Sequence, residues 1–283
     1  MRGKKPTGRI RIGVFDSGFG GLTVLRALLP QIPSAEFFYL GDTARLPYGS
    51  KSQATVARYA VESALLLESY GAEYLVIACN TASALALDAI RAAAHVPVLG
   101  VIESGADSAA ASSKSRDVLV LATQATVDSH AYARACAAHN LRTIEKACPL
   151  LVPLIEEGWI ETGVTREVLR IYLDQAQADA TSVGLSPDTV LLGCTHYPLL
   201  RAVLQQELPV GIKVLDSAET TAQRVREQLE QSKVLAAREQ NEKAANSPLC
   251  HFFATDSVEK FRALGSRFLG QPIDKVQLID LGG

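Results

Sequence analysis

No apolar run in the 283-residue chain reaches the ~18–20 residues that a membrane helix needs. The basic start, MRGKKPTGRIRIG, has no apolar core ahead of the first strand-like segment, so no secretory signal is expected. Neither sign of charge dominates. With 28 Lys and Arg against 30 Asp and Glu, the formal net charge is −2, and no global basic field invites nucleic acid or an anionic membrane. Cysteine is sparse and scattered: Cys79, Cys136, Cys148, Cys194 and Cys250 form an odd set without a C-x-x-C pair. That excludes a disulfide framework and points to a reducing, cytoplasmic setting. The five histidines show no metal-ligand spacing. The glycine-rich stretch DSGFGGLT (16–23) lacks the lysine of a phosphate loop and the G-x-G-x-x-G spacing of a dinucleotide site. No pyridoxal lysine motif is evident either, so neither metal nor cofactor is expected.

What is present is a hydrophobic fraction of 48% with 20% charged residues, suited to a compact protein with a sizeable core. Short β-branched runs alternate with helical patterns, the signature of parallel α/β units. Strands are predicted over Ile10–Phe15, Glu36–Leu40, Tyr74–Ala78, Val98–Val101, Val118–Ala122, Thr143–Lys146, Thr189–Leu192, Lys213–Leu215, His251–Ala254 and Val276–Ile279. Helices are predicted over Ser52–Tyr70, stopped by Gly71, and over Thr81–Ala94, Val127–His139, Arg166–Ala180, Ala218–Lys243 and Ser257–Leu269.

Two pairs of segments echo one another. YLVIACNTAS (74–83) and TVLLGCTHYP (189–198) each run from an apolar strand into a cysteine and then polar residues, while VFDSG (14–18) resembles VLDSA (214–218). Their unequal spacings exclude a simple tandem repeat. They fit two similar α/β domains, with the chain returning to the first after building the second. In open parallel sheets, ligands bind beyond the carboxyl ends of the strands. Asp16-Ser17, Asp42 with Tyr48-Gly49, Cys79-Asn80-Thr81 and Cys194-Thr195-His196 fall there. A helix start also lowers a thiol pKa, so both cysteines are expected to be activated. Cys194 and His196, about 6.6 Å apart on a continuing strand, could form an acyl-transfer pair, but that leaves Cys79 unexplained. Asp16 could equally be a helix cap. Two thiols in matching contexts suit a reaction that removes a proton from one face of a carbon and returns one to the other, as cofactor-independent racemisation requires.

FDSGFGGLTV (15–24), YLGDTARLPYG (39–49), ACNTAS (78–83), CPLLVPLIEEG (148–158), LGCTHYPLL (192–200) and FFATDSVEKFRALGSRFLG (252–270) resemble the signature segments of the bacterial glutamate racemase family over nearly the whole chain. The resemblance implies two α/β domains with mainly parallel sheets facing across a cleft, one formed by residues 1–101 and 215–283, the other by 102–214. It implies that Cys194 deprotonates L-glutamate and Cys79 D-glutamate, with Asp16 and His196 assisting the thiols and holding the substrate ammonium. Glu156 would be a further acidic group, its register blurred by Glu157. Ser17, Asn80, Thr81 and Thr195 would contact the amino-acid head group, and Tyr48-Gly49 the distal carboxylate. ATQATVDS (122–129) departs from the family pattern, with Ala125 in a glycine place. That would disfavour a left-handed backbone and leaves Thr123 and Thr126 as secondary candidates.

The implied partner is a small molecule, L- or D-glutamate, and the implied role is supply of D-glutamate for peptidoglycan by a cytoplasmic homodimer. Some relatives that need a cell-wall precursor as activator carry a longer N-terminal extension. With about nine residues before the first strand, independence from such an activator is expected. Aspartate as substrate, a regulatory module that kept the cleft without catalysis, and a one-thiol amidase are the alternatives. Hinges near residues 100 and 214 are expected to let the cleft close on substrate.

Overall fold

The computed structural model describes residues 8–232 and 247–281. All ten predicted strands are present: β1 (Arg11–Asp16), β2 (Glu36–Gly41), β3 (Tyr74–Ile77), β4 (Val98–Gly100), β5 (Asp117–Ala122), β6 (Arg142–Ala147), β7 (Thr189–Gly193), β8 (Lys213–Asp216), β9 (Leu249–Ala254) and β10 (Gln277–Leu278). They form two sheets with strand orders β10-β9-β2-β1-β3-β4 and β6-β5-β7-β8, and every pairing is parallel. β3, β5 and β7 are buried along their whole length, as continuous apolar strands covered on both faces must be.

The helices are α1 (Leu22–Gln31), α2 (Gln53–Ser69), α3 (Asn80–Leu85), α4 (Leu87–Ala93), α5 (Val101–Ser112), α6 (Gln124–Asp128), α7 (Ala131–Ala137), α8 (Leu151–Glu156), α9 (Gly163–Ser182), α10 (Arg201–Glu207), α11 (Ala218–Gln231) and α12 (Val258–Leu269). Ser52 caps α2 by accepting from the Thr55 N–H, and Gly71 (φ +95°) follows its end. The helix predicted over 81–94 is two, because Ala86 leaves helical geometry at φ −128° and ψ −6°. The one predicted over 127–139 is also two, parted by left-handed His130. The last turns of the helix predicted over 218–243 lie outside the described residues. No described helix is long and apolar enough to cross a membrane.

In each sheet the strand order reverses once, at β1/β3 and at β5/β7. Such switch points leave a crevice beyond the carboxyl ends of the two strands. Phe15 pairs with Ile77 in one sheet and Ala122 with Gly193 in the other. The chain therefore leaves the first crevice through Asp16 and Cys79 and the second through Thr123 and Cys194.

Candidate active site

The two crevices face one cavity. Cys79, Asn80, Thr81, Ser17, Tyr48 and Gly49 line it from the six-stranded side. Cys194, Thr195, His196, Glu156 and Thr123 line it from the other. Its free volume is about 40 Å³, room for about one water. Asp16 is the exception among the candidates. It is fully buried behind the lining, where one carboxylate oxygen accepts the Gly18 N–H at 2.9 Å and the other the Thr195 hydroxyl at 3.5 Å. Burial raises its pKa, against the positive charge of His196 and the Gly18 N–H.

Cys79 is the N-cap of α3 and accepts the Ala82 N–H at 3.4 Å, while its own thiol lies 3.5 Å from Ser17 Oγ. The expected activation by a helix start does not follow. Burial, reinforced by the charge of Asp16, pushes this thiol up to about 12 despite the hydrogen bonds from Ser17 and Ala82. α3 has only six residues, so its dipole is small beside the cost of burying a thiolate.

Cys194 stands in a different setting. β7 ends at Gly193, the chain turns, and His196 precedes a 3₁₀ turn over Tyr197–Leu200 rather than an α-helix. The turn brings His196 Nδ1 to 4.0 Å from Cys194 Sγ. The other imidazole nitrogen, Nε2, lies 3.3 Å from Glu156 Oε1. Burial disfavours the imidazolium, but Cys194, Glu156 and Asp16 together outweigh it and raise His196 to about 10. Of the two adjacent acids Glu156 makes this contact, whereas Glu157 is exposed. Glu156 itself is held low in pKa, because His196 and Lys260 outweigh its desolvation.

The remaining candidates are held by groups with no local signal in sequence. Tyr132 OH donates to Asn80 Oδ1 at 2.5 Å, and Tyr39 OH to the Gly18 carbonyl at 3.1 Å. Thr81, Thr123 and Thr126 form a hydroxyl triangle with separations of 2.9, 3.2 and 2.9 Å, bridging the two sides. Ala125 lies inside α6 with no left-handed backbone, so the missing glycine imposes no strain. Tyr48 OH donates to buried Asp42 at 2.5 Å, fixing the 3₁₀ turn Tyr48–Ser50, whose first N–H groups have no acceptor within the turn. A larger groove of about 720 Å³ near α4, α5 and α7 contains neither thiol. Within it Arg224 pairs with Asp107 at 2.8 Å and His139 with Asp107 at 3.0 Å. Among the described residues no group of His, Cys, Asp and Glu could hold a metal.

A sequence profile of the Asp/Glu/Hydantoin racemase family matches residues 21–225. The chain is 51% identical to a glutamate racemase of Koribacter versatilis, over 96% of this chain and 98% of that one. The chain belongs to the glutamate racemase family. Among solved members, the glutamate racemase of Francisella tularensis in complex with D-glutamate superimposes with a TM-score of 0.85 at 32% identity, covering 97% of this chain and 99% of that one. The Thermus thermophilus glutamate racemase, bound to β-chloro-D-alanine, gives 0.83 at 42% identity, covering 98% and 99%. The family's two-domain α/β architecture, with mainly parallel sheets, is the one described above.

Proposed function

We propose that the chain interconverts L- and D-glutamate by proton exchange between two thiols, without a cofactor. The observation that carries this reading is that Cys79 and Cys194 line one cavity from two different sheets. A planar, carbanion-like carbon between them would have one thiol on each face. In the L-to-D direction, Cys194 as thiolate takes the Cα proton and Cys79 as thiol returns one to the opposite face. The proton-holding Cys79 suits the donor, and His196, an imidazolium at neutral pH, places positive charge 4.0 Å from Cys194. Asn80, Thr81, Ser17 and Thr195 supply hydrogen-bond donors for the head group. The turn at Tyr48-Gly49 offers free N–H groups to the distal carboxylate, which favours glutamate over the shorter aspartate. Preorganised donors in a water-poor cavity stabilise the developing charge.

The deciding experiment is incubation of L-glutamate in D2O without additions. Deuterium should enter Cα of the D-glutamate formed, and D-glutamate free of deuterium would sink the two-base reading. Cys79→Ser and Cys194→Ser should each lower racemisation by about 10²-fold or more. Full activity in Cys79→Ser would favour a one-thiol reaction. The reading extends to a domain division at residues 1–101 with 215–283 against 102–214, to a cytoplasmic homodimer without nucleic-acid partners, and to supply of D-glutamate for peptidoglycan. Support for these comes from membership of the family, and sedimentation tests the dimer.

A further inference from the structure

We propose that Lys260 is a positioning residue for this reaction, acting through Glu156 on the imidazole that serves Cys194. Lys260 is on α12, which follows β9 of the six-stranded sheet, whereas Glu156 ends α8, which follows β6 of the other. The Lys260 ammonium reaches across to Glu156 Oε2 at 3.2 Å and leaves Oε1 to face His196 Nε2 at 3.3 Å. A carboxylate with one oxygen anchored has one orientation to offer the other partner, and a charged imidazole whose Nε2–H is held by it is fixed in its ring orientation. With Nε2 bound to Glu156, Nδ1 is the atom turned to Cys194 Sγ at 4.0 Å. The rest of α12 braces the same relay. Phe268 meets the His196 ring edge-on at a centroid distance of 5.1 Å, and Phe261 packs on Phe19, over which the Lys260 ammonium lies 5.8 Å from the ring centre. Arg267, about two turns further along the same face, lies against Gly158 beyond the end of α8.

This inference rests on the two-thiol reading and sharpens it, because only the Cys194 half-reaction passes through Lys260. Lys260→Met keeps most of the apolar stem and removes the charge. The side chain is 49% exposed, so the variant should fold with an unchanged melting temperature. Its turnover should fall about three- to tenfold, the scale for losing one anchor of a charged pair. The deuterium isotope effect on kcat/KM should rise with L-[2-²H]glutamate and fall with the D-isomer, since the Cys194 step alone is slowed. Lys260→Arg should restore both. In NMR spectra of the ligand-free protein, the His196 Nε2–H signal should be lost or broadened in Lys260→Met and retained in Lys260→Arg. Unchanged turnover, equal isotope effects in the two directions, or an unaltered His196 signal would each overturn the assignment. Wild-type protein run beside the variants separates the cases, because failure of the wild type to racemise glutamate refutes the reaction itself.

Discussion

Thr195 Oγ1 donates to Asp16 Oδ1 at 3.5 Å, joining the loop after β7 of one sheet to the end of β1 of the other. Asp16 thus touches the machinery of both thiols. It braces the residue between Cys194 and His196, and its charge helps to raise the Cys79 thiol. Asp16→Asn keeps the shape and can still accept the Gly18 N–H, so stability should change little. Removing the charge should lower racemisation about 10²-fold. It should also shift the acid limb of the kcat/KM profile for D-glutamate to lower pH, because Cys79 then ionises more readily. An unmoved limb would deny the electrostatic link.

Gly20 provides the space in which this bridge sits. A Cβ there would lie 2.6 Å from His196 Nδ1 and closer still to the Thr195 hydroxyl. Gly20→Ala should therefore cost about 1–3 kcal/mol of stability and displace the imidazole from Cys194, with loss of activity. Gly163→Ala, where a Cβ meets nothing within 4 Å, is the control and should leave both unchanged. Chemical denaturation with parallel racemisation assays checks the pair.

The raised Cys79 pKa carries a stability consequence of fixed sign. The thiol ionises near 9 when unfolded and near 12 when folded. Below pH 9 both states hold the proton and there is no effect. Between 9 and 12 only the unfolded chain loses it, so folding is progressively disfavoured, by up to about 1.4 kcal/mol per pH unit. Cys79→Ser removes this slope. Denaturation of both proteins at pH 8, 9.5 and 10.5 should show wild type falling faster, and parallel curves would contradict the buried, protonated thiol.

The strands were legible because each is a continuous apolar run, and β3 and β7 lead directly to Cys79 and Cys194. α1 and α5 were not. α1 begins at Gly21 with no side-chain cap and carries Pro30 near its end, and α5 starts directly after β4 at Gly100, which also offers no cap. Asp16, His196 and the head-group residues were assigned roles from the segments that contain them, whereas Tyr39 and Lys260, though inside such segments, and Tyr132, outside them, act through contacts from distant parts of the chain. Nothing in their neighbours announces such a role. The state of the Cys79 thiol was not legible either. Proximity to a helix start suggested a lowered pKa, but desolvation depends on how completely the two sheets enclose Cys79, and that is a property of the assembled cavity.

That enclosure sets the final expectation. A free volume of about 40 Å³ is near that of one water and well below that of glutamate, so the lining residues should move apart when glutamate binds. The hydrogen bonds and ion pairs that cross the cavity include Thr195 to Asp16, Thr81 to Thr123 and to Thr126, Tyr132 to Asn80, and Lys260 to Glu156. Each is worth about 0.5–1.5 kcal/mol net, a barrier that thermal opening crosses readily. The halves should part about hinges near residues 100 and 214, where β4 passes into α5 and β8 leads out of its sheet. Alkylation of Cys79 and Cys194, only 4% and 6% exposed, should then saturate with reagent concentration at the opening rate. It should speed up in Thr123→Val, which removes one closing contact, and slow when glutamate is present. Labelling that stays linear in reagent at the rate of an open thiol, or ligand-free and glutamate-bound crystals with identical clefts, would refute the gated cavity.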